Sequence, residues 1–169
     1  MSLKMSRLLA ALAAASLLAA CSEPALSASA QEPVADTACA LDGMVLLDFP
    51  GPKAQIQYAE GKADFYCDLM ELFTVVLQPE HRRRIAGVFV QDMGKTAWDK
   101  PSGAWIAARD ALYVVGSKKQ GSMGPTFASF SDPAQAAAFA KTEGGKVLPY
   151  SQITVAMLDT GHAAGDMRH

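Results

Sequence analysis

The sequence predicts an α+β protein built from two similar ββαβ units packed together, set behind an N-terminal export signal and a flexible tether. Three observations carry that reading. Short strand-like runs alternate with a single helix-forming run in each half of the chain. Both helix-forming runs are headed by an aspartate at the cap position, Asp68 and Asp132. A short apolar stretch near the start is set apart from the rest by a polar, unpatterned segment. The chain has 169 residues, 50% of them hydrophobic and 19% charged, which is too apolar and too weakly charged for a disordered protein. Fifteen basic against 17 acidic side chains give a formal charge of -2, with no electrostatic footprint for nucleic acid. Three Cys and eight Met are the unusual part of the composition.

The elements follow in chain order. Lys4 and Arg7 precede Leu8 to Ala20, apolar apart from Ser16 and too short for a bilayer span, which needs about 20 residues. The run ends in Leu18-Ala19-Ala20-Cys21, which resembles the lipobox of bacterial lipoproteins, so residues 1–20 read as a lipoprotein signal and Cys21 as the lipidated residue. Ser22 stands where Asp would favour inner-membrane retention in lipoproteins, so the resemblance implies the outer membrane. Cleavage would leave 13 basic and 17 acidic residues, a formal charge of -4. Residues 21–37 are rich in Ser, Ala, Pro and acids and read as the anchored tether; residues 159–169 read as a mobile tail.

The first unit is expected over residues 38–95. Met44-Val45-Leu46-Leu47 is strand-like, and Ala54-Gln55-Ile56-Gln57-Tyr58 alternates as a half-buried strand does. Glu60-Gly61-Lys62 is a hairpin turn and Asp64-Phe65-Tyr66 the returning strand. Asp68 with Glu71 has the spacing of a capping box before a helix that stops ahead of Pro79, and Gly87 to Val90 is a further strand. The second unit is expected over residues 96–158. Trp105 to Ala108 and Leu112 to Val115 flank a turn at Arg109-Asp110. Phe127 to Phe130 leads to the cap at Asp132, with Pro133 at the first helical position, and Val147 to Tyr150 is the last strand. Superposing the two caps sets Phe65-Tyr66-Cys67 against Ser129-Phe130-Ser131. Each unit is too small to be stable alone.

The chemistry-bearing residues are sulfurs. Cys39 and Cys67 in an exported domain are open to two readings. One is a disulfide closing a loop of about 29 residues, stabilising by roughly 3 to 4 kcal/mol. The other is a soft metal site. Cys39 and Met44 share a short turn-forming segment, and Cys67 precedes a helix N-terminus, where backbone N–H groups favour the thiolate. Met123 sits in the polar loop Gly121-Ser122-Met123-Gly124-Pro125. Thiolates and thioethers select Cu(I), whereas zinc would ask for paired Cys/His spacing that is not present. Met70 fits a helix's apolar face. His81 heads the basic run Arg82-Arg83-Arg84, which suits docking to an acidic partner; His162 and His169 lie in the tail. No phosphate loop, nucleophile elbow or His-based triad is visible, so no enzyme activity is expected.

The segments Cys39-Ala-Leu-Asp-Gly-Met44, Phe49-Pro-Gly-Pro-Lys-Ala-Gln-Ile56 and Phe65-Tyr-Cys-Asp-Leu-Met-Glu-Leu-Phe73 resemble the NosL family, accessory lipoproteins of nitrous oxide reductase assembly. The run from Trp105 to Val115 and Ser122-Met-Gly-Pro125 resemble it too. The resemblance covers roughly residues 36 to 153. It implies a periplasmic, lipid-anchored Cu(I) chaperone of two ββαβ units, partnering nitrous oxide reductase and its ABC-type assembly complex. Many members carry Cys-x-x-Cys-Gly-Met, where this chain has Asp42 in place of the second Cys; the expected ligands are therefore Cys39, Met44, Cys67 and Met123.

Overall fold

A computed structural model of the chain describes residues 28–78, 80 and 83–159. Cys21, His81, Arg82, His162 and His169, and with them the signal and most of the tail, lie outside the described residues.

Two antiparallel sheets carry the fold. The first has the order β2-β1-β3-β4, from β1 (Ala54–Tyr58), β2 (Asp64–Tyr66), β3 (Ile85–Gln91) and β4 (Trp105–Ala107). The second has the order β6-β5-β7, from β5 (Leu112–Val115), β6 (Ala128–Phe130) and β7 (Lys146–Pro149). Helix α1 (Leu69–Val76) follows β2, and α2 (Pro133–Glu143) follows β6. The central strand of each unit pairs with the two that flank its helix in sequence, so ββαβ recurs with one topology. Ala54 faces Tyr66 in the first unit and Leu112 faces Phe130 in the second. Both expected caps are present: Asp68 accepts from the Glu71 amide and Asp132 from the Ala134 amide.

The sequence pattern misplaces two runs. Trp105 to Ala107 and Leu112 to Val115 flank a 3-10 turn at Ala108–Asp110 but do not pair with each other. Instead β4 extends the first sheet, with Val90 opposite Ile106, because period-two patterning marks a strand without choosing its neighbour. The strand-like Met44–Leu47 contributes only an isolated bridge, Val45 to Ala38, before a 3-10 helix at Leu46–Asp48. Leu46, the first residue of that turn, is fully buried.

Alternation along β5 distributes the core. Tyr113 and Leu148 point toward α1; Val114 and Val147 point the other way, toward α2. Helix α1 therefore lies between the two sheets: Leu69, Leu72 and Phe73 are fully buried, and Phe73 meets Tyr113 edge-on at 5.1 Å, with Phe127 and Tyr150 within 5.7 Å. Helix α2 covers the outer face of the second sheet with Ala136 and Phe139, the latter against Phe130 and Trp98. The units are tied at the end of β3, where Ser129 Oγ donates to the Gln91 carbonyl at 2.6 Å, the Met93 amide donates to the Ser129 carbonyl at 2.8 Å, and Ser131 Oγ donates to Asp92.

The other face of β1 is closed by the chain's own N-terminal segment. The Gln31 amide donates to Gln55 Oε1 at 2.8 Å, Gln55 Nε2 returns a bond to the Gln31 carbonyl at 2.9 Å, and Trp105 Nε1 donates to Glu32 Oε1. Gln55 and Gln57 are thus buried, and β1 is covered on both faces where its alternation predicts one. A polar residue at an alternating position can be covered if its amide is matched, as here. Within residues 21–37, Gln31 and Glu32 are consequently bound to the sheet.

Candidate metal centre

Cys39 stands in a tight loop. Its amide donates to the Met44 carbonyl at 2.8 Å and its carbonyl accepts from Gly43, whose φ of +77° is a conformation open to glycine without strain. Asp42 Oδ1 accepts from the Met44 amide at 2.9 Å, an Asx turn that fixes the carboxylate at the loop's rim. The Ala40 amide donates to the Phe65 carbonyl at 2.8 Å and docks the loop on β2. The next turn of the chain beyond β2 is Cys67, immediately before the cap of α1. Cys39 and Cys67 are buried together with Leu46, and Met44, Phe49 and Phe65 pack around them. Both are free thiols. The Sγ atoms of Cys39 and Cys67 and a carboxylate oxygen of Asp42 all lie within 4.8 Å of one another.

Two charged groups underlie this cluster. Glu71 Oε2 accepts from the Cys67 amide and shares a hydrogen bond with Cys39 Sγ, each at 2.8 Å. In the expected capping box this carboxylate would return to the amide of Asp68; it reaches one residue further back and holds both cysteines at once. Lys53, completely buried at the start of β1, donates from Nζ to the carbonyls of Phe49, Pro50 and Cys67 at 2.8, 3.1 and 2.9 Å. It is held by backbone dipoles and by the negative charge of the site around it.

The protonation states are shifted accordingly. The Cys39 thiol is pulled down to about 5, first by the hydrogen bond from Cys67, with burial opposing and Glu71 adding to the pull. Cys67 goes the other way, since it donates to Cys39, is desolvated, and faces the Cys39 charge. Burial first, then the bond to Cys39, raises Glu71 to about 8. Burial lowers Lys53 to about 8, against the attraction of Cys67, Asp68, Glu71 and Cys39. At neutral pH the cluster therefore presents one thiolate and one retained thiol, with a carboxylic acid beneath: a nucleophilic, soft-donor site.

Of the expected ligands, Cys39, Met44 and Cys67 come together. Met123 does not join their cluster. It is 72% exposed and lines an adjoining cavity of about 370 Å³ with Asp68, Met70, Glu71 and Val155. The cavity and the thiol cluster share Glu71, and Ser122 Oγ donates to Asp68 Oδ2 at 2.7 Å, pinning the Met123 loop beside the cap. Arg83 is engaged within its own unit: its guanidinium lies 3.4 Å from the centre of the Tyr58 ring, pairs with Asp64 at 3.3 Å and donates to the Lys62 carbonyl. It clamps the β1–β2 hairpin while staying exposed, as Arg84 is. The sequence reading passed over Glu71 and Lys53 as site residues. The capping spacing was the signal for Glu71; nothing in the pattern marks a lysine for burial.

A family model for NosL matches residues 30–158. The copper-binding lipoprotein NosL of Stutzerimonas stutzeri is 41% identical over 132 residues, 78% of this chain and 67% of that protein. The copper-binding lipoprotein NosL of Achromobacter cycloclastes is 44% identical over 123 residues, 69% of this chain and 63% of that one. The chain thus spans about two thirds of the length of these curated relatives. The crystal structure of the copper chaperone NosL from Shewanella denitrificans superposes with a TM-score of 0.72 at 38% identity, covering 76% of this chain and 97% of that one. With the matched residues embracing both ββαβ units and the thiol cluster, the chain belongs to the NosL family.

Proposed function

We propose that this protein is a lipid-anchored periplasmic Cu(I) chaperone, tethered through Cys21, that delivers copper for maturation of the copper centres of nitrous oxide reductase through the reductase's ABC-type assembly complex. The observation that carries the copper reading is the pair of free, buried thiols with Met44 packed against them. Thiolate and thioether donors are soft, and Cu(I) accepts as few as two or three of them. Cys39 and Cys67 serve as the primary ligands and Met44 as the thioether that closes over the ion. Met123, on the exposed loop across the shared carboxylate of Glu71, is placed to take the ion over by ligand exchange and present it to a partner. The relatives' names as copper-binding lipoproteins and a copper chaperone support the same cargo.

The test is Cu(I) competition against a chromophoric chelator on anaerobic, mature protein whose two thiols have been counted. Cys39→Ser and Cys67→Ser are expected to abolish tight binding. Met44→Leu is expected to weaken it, and Met123→Leu to slow transfer to an acceptor chelator more than it lowers affinity. Unchanged affinity in all four variants would place the site elsewhere. A disulfide that forms on air exposure is expected to block loading until it is reduced.

A further inference from the structure

We infer that the groove at the C-terminal end of α1 is the seat of the chain's own tether, filled by Leu26, so that the anchored end of the protein lies opposite its metal centre; this rests on the reading that Cys21 carries the lipid.

The groove, about 970 Å³, opens where the first sheet is unfinished. Strand β4 pairs with β3 only from Phe89 to Gln91, and the 3-10 turn at Ala108–Asp110 takes the chain away after Ala107. From Ile85 to Val88, that side of β3 has no strand partner among the described residues. Val76 and Leu77 at the helix end, Ile85 and Val88 on the strand, and Tyr150 line the groove, each only half-buried against the core. Proteins cover an apolar edge of this kind, since a bare one pairs with other chains.

The chain itself supplies the cover. Ala28, the first described residue, lines this groove. Its methyl lies over Gly87 of β3: a Cβ at position 87 would stand 3.1 Å from that of Ala28 and 2.8 Å from the Phe89 ring. A bare strand position of this kind lets another segment approach closely. Along an extended chain, alternate residues share a side at intervals of about 7 Å. Leu26 and Pro24 therefore follow Ala28 into the groove, while Ser27, Ala25 and Glu23 face water. Proline is tolerated in such a segment, because a strand added at an edge needs no donor on its outer side. Helix α1 has eight residues, a length of about 12 Å, with Cys67 and the Asp68 cap at one end and the groove at the other. A seated tether thus delivers Cys21 to the end away from the thiols and turns Met44 and Met123 away from the membrane.

The experiment uses the mature chain with Cys21→Ser, so that no acyl chain is present, and adds Leu26→Asp or Ala25→Asp. Both substitutions fall in the tether and leave the core untouched. Hydrogen exchange is read at the Ile85–Val88 amides on the open side, and methyl NMR at Val76, Leu77 and Val88. Leu26→Asp is expected to speed exchange by about tenfold, the equilibrium value of exposing one leucine, and to shift those methyls. Ala25→Asp, on the outward side, should do neither. Exchange that responds to neither substitution, or equally to both, would overturn the inference. Orientation is read on the acylated protein in nanodiscs of phosphatidylethanolamine and phosphatidylglycerol carrying a gadolinium chelate on their headgroups. The Leu77 and Ile85 methyls should broaden more than those of Met44 and Met123, and Leu26→Asp should erase the difference. Equal broadening in the wild type would overturn the orientation. Protein isolated from cells without the acyl mass would overturn the anchor reading and the orientation with it, and leave the seat of Leu26 to be decided by the exchange result.

Discussion

The two units have one topology and opposite uses for it. In both, a central strand pairs with a hairpin partner and with the strand after the helix, and an aspartate caps that helix. Position by position the contents differ. Before the first cap stands Cys67, before the second Ser131; three residues past the caps stand Glu71 and Gln135; ahead of the central strands stand Lys53 and Ala111. In the second unit Ser131 donates to Asp92 of the first unit, so this corner fastens the units together. In the first unit the equivalent corner is occupied by a thiol, a carboxylic acid and a buried ammonium, and its bond to the other unit among the described residues runs from the Ser122 hydroxyl to the cap Asp68. The strand-to-cap corner is a rigid place with converging backbone donors, and side chains alone decide whether it serves assembly or chemistry.

The largest way to sharpen this contrast is to cut each helix out of its core. Phe73→Ala empties the space between the sheets, beside Tyr113, Phe127 and Tyr150, and should cost about 4 kcal/mol in denaturant unfolding. Phe139→Ala on the outer helix, half-buried against Phe130 and Trp98, should cost about 2 kcal/mol. Equal losses would mean that α1 is not the shared core. Next come the caps. Asp132→Ala removes one exposed cap bond, about 1 kcal/mol of stability by the same measurement. Asp68→Ala also orphans the Ser122 hydroxyl and should approach about 2 kcal/mol. A Met123 loop left as protease-resistant as before would show that the cap does not hold it.

The smallest effect is a flatness. Glu71 is raised from 4.5 to about 8, so its contribution is complete at low pH and is lost as the pH climbs between those values. Cys39 is lowered from 9.0 to about 5, so its contribution grows with pH from about 5 upward. The slopes oppose each other, because the proton that leaves sulfur is kept on the carboxyl. Apo-protein stability should therefore change little through this cluster between about pH 5 and 8. Cys39→Ser should unmask the Glu71 slope, with stability falling as pH rises across that window, and Glu71→Gln should unmask the opposite one. Denaturant midpoints at stepped pH read both, and a Cys39→Ser profile as flat as wild type would break the coupling.

Much of this was legible before any coordinates. Asp68 and Asp132 declare helix starts through purely local bonding, and the superposition of Cys67 on Ser131 follows from them. The β1 alternation placed Ala54 and Ile56 inward, but covering of Gln55 and Gln57 depends on Gln31, more than twenty residues away, which no period-two pattern encodes. Likewise Trp105 to Ala107 announces a strand while its partner, β3, is a matter of sheet order. At the site, Cys39, Met44 and Cys67 stood out because sulfur is chemically distinctive. Glu71 has the spacing of a capping residue and Lys53 closes a turn-rich run, and neither marks a buried charge, since burial of charge has no sequence signature.

By itself the sequence determined the residue chemistry and the local frame: soft sulfur donors, two capped helices, and a repeat of the same short elements. Only the tertiary structure decided which donors meet. It brought Cys39 against Cys67 across 28 positions of chain, set a carboxyl and an ammonium beneath them, and left Met123 one cavity away. Local bonding depends on neighbours in sequence and can be read from them. A metal site depends on distances between distant backbones, and those are set by how α1 packs between the two sheets.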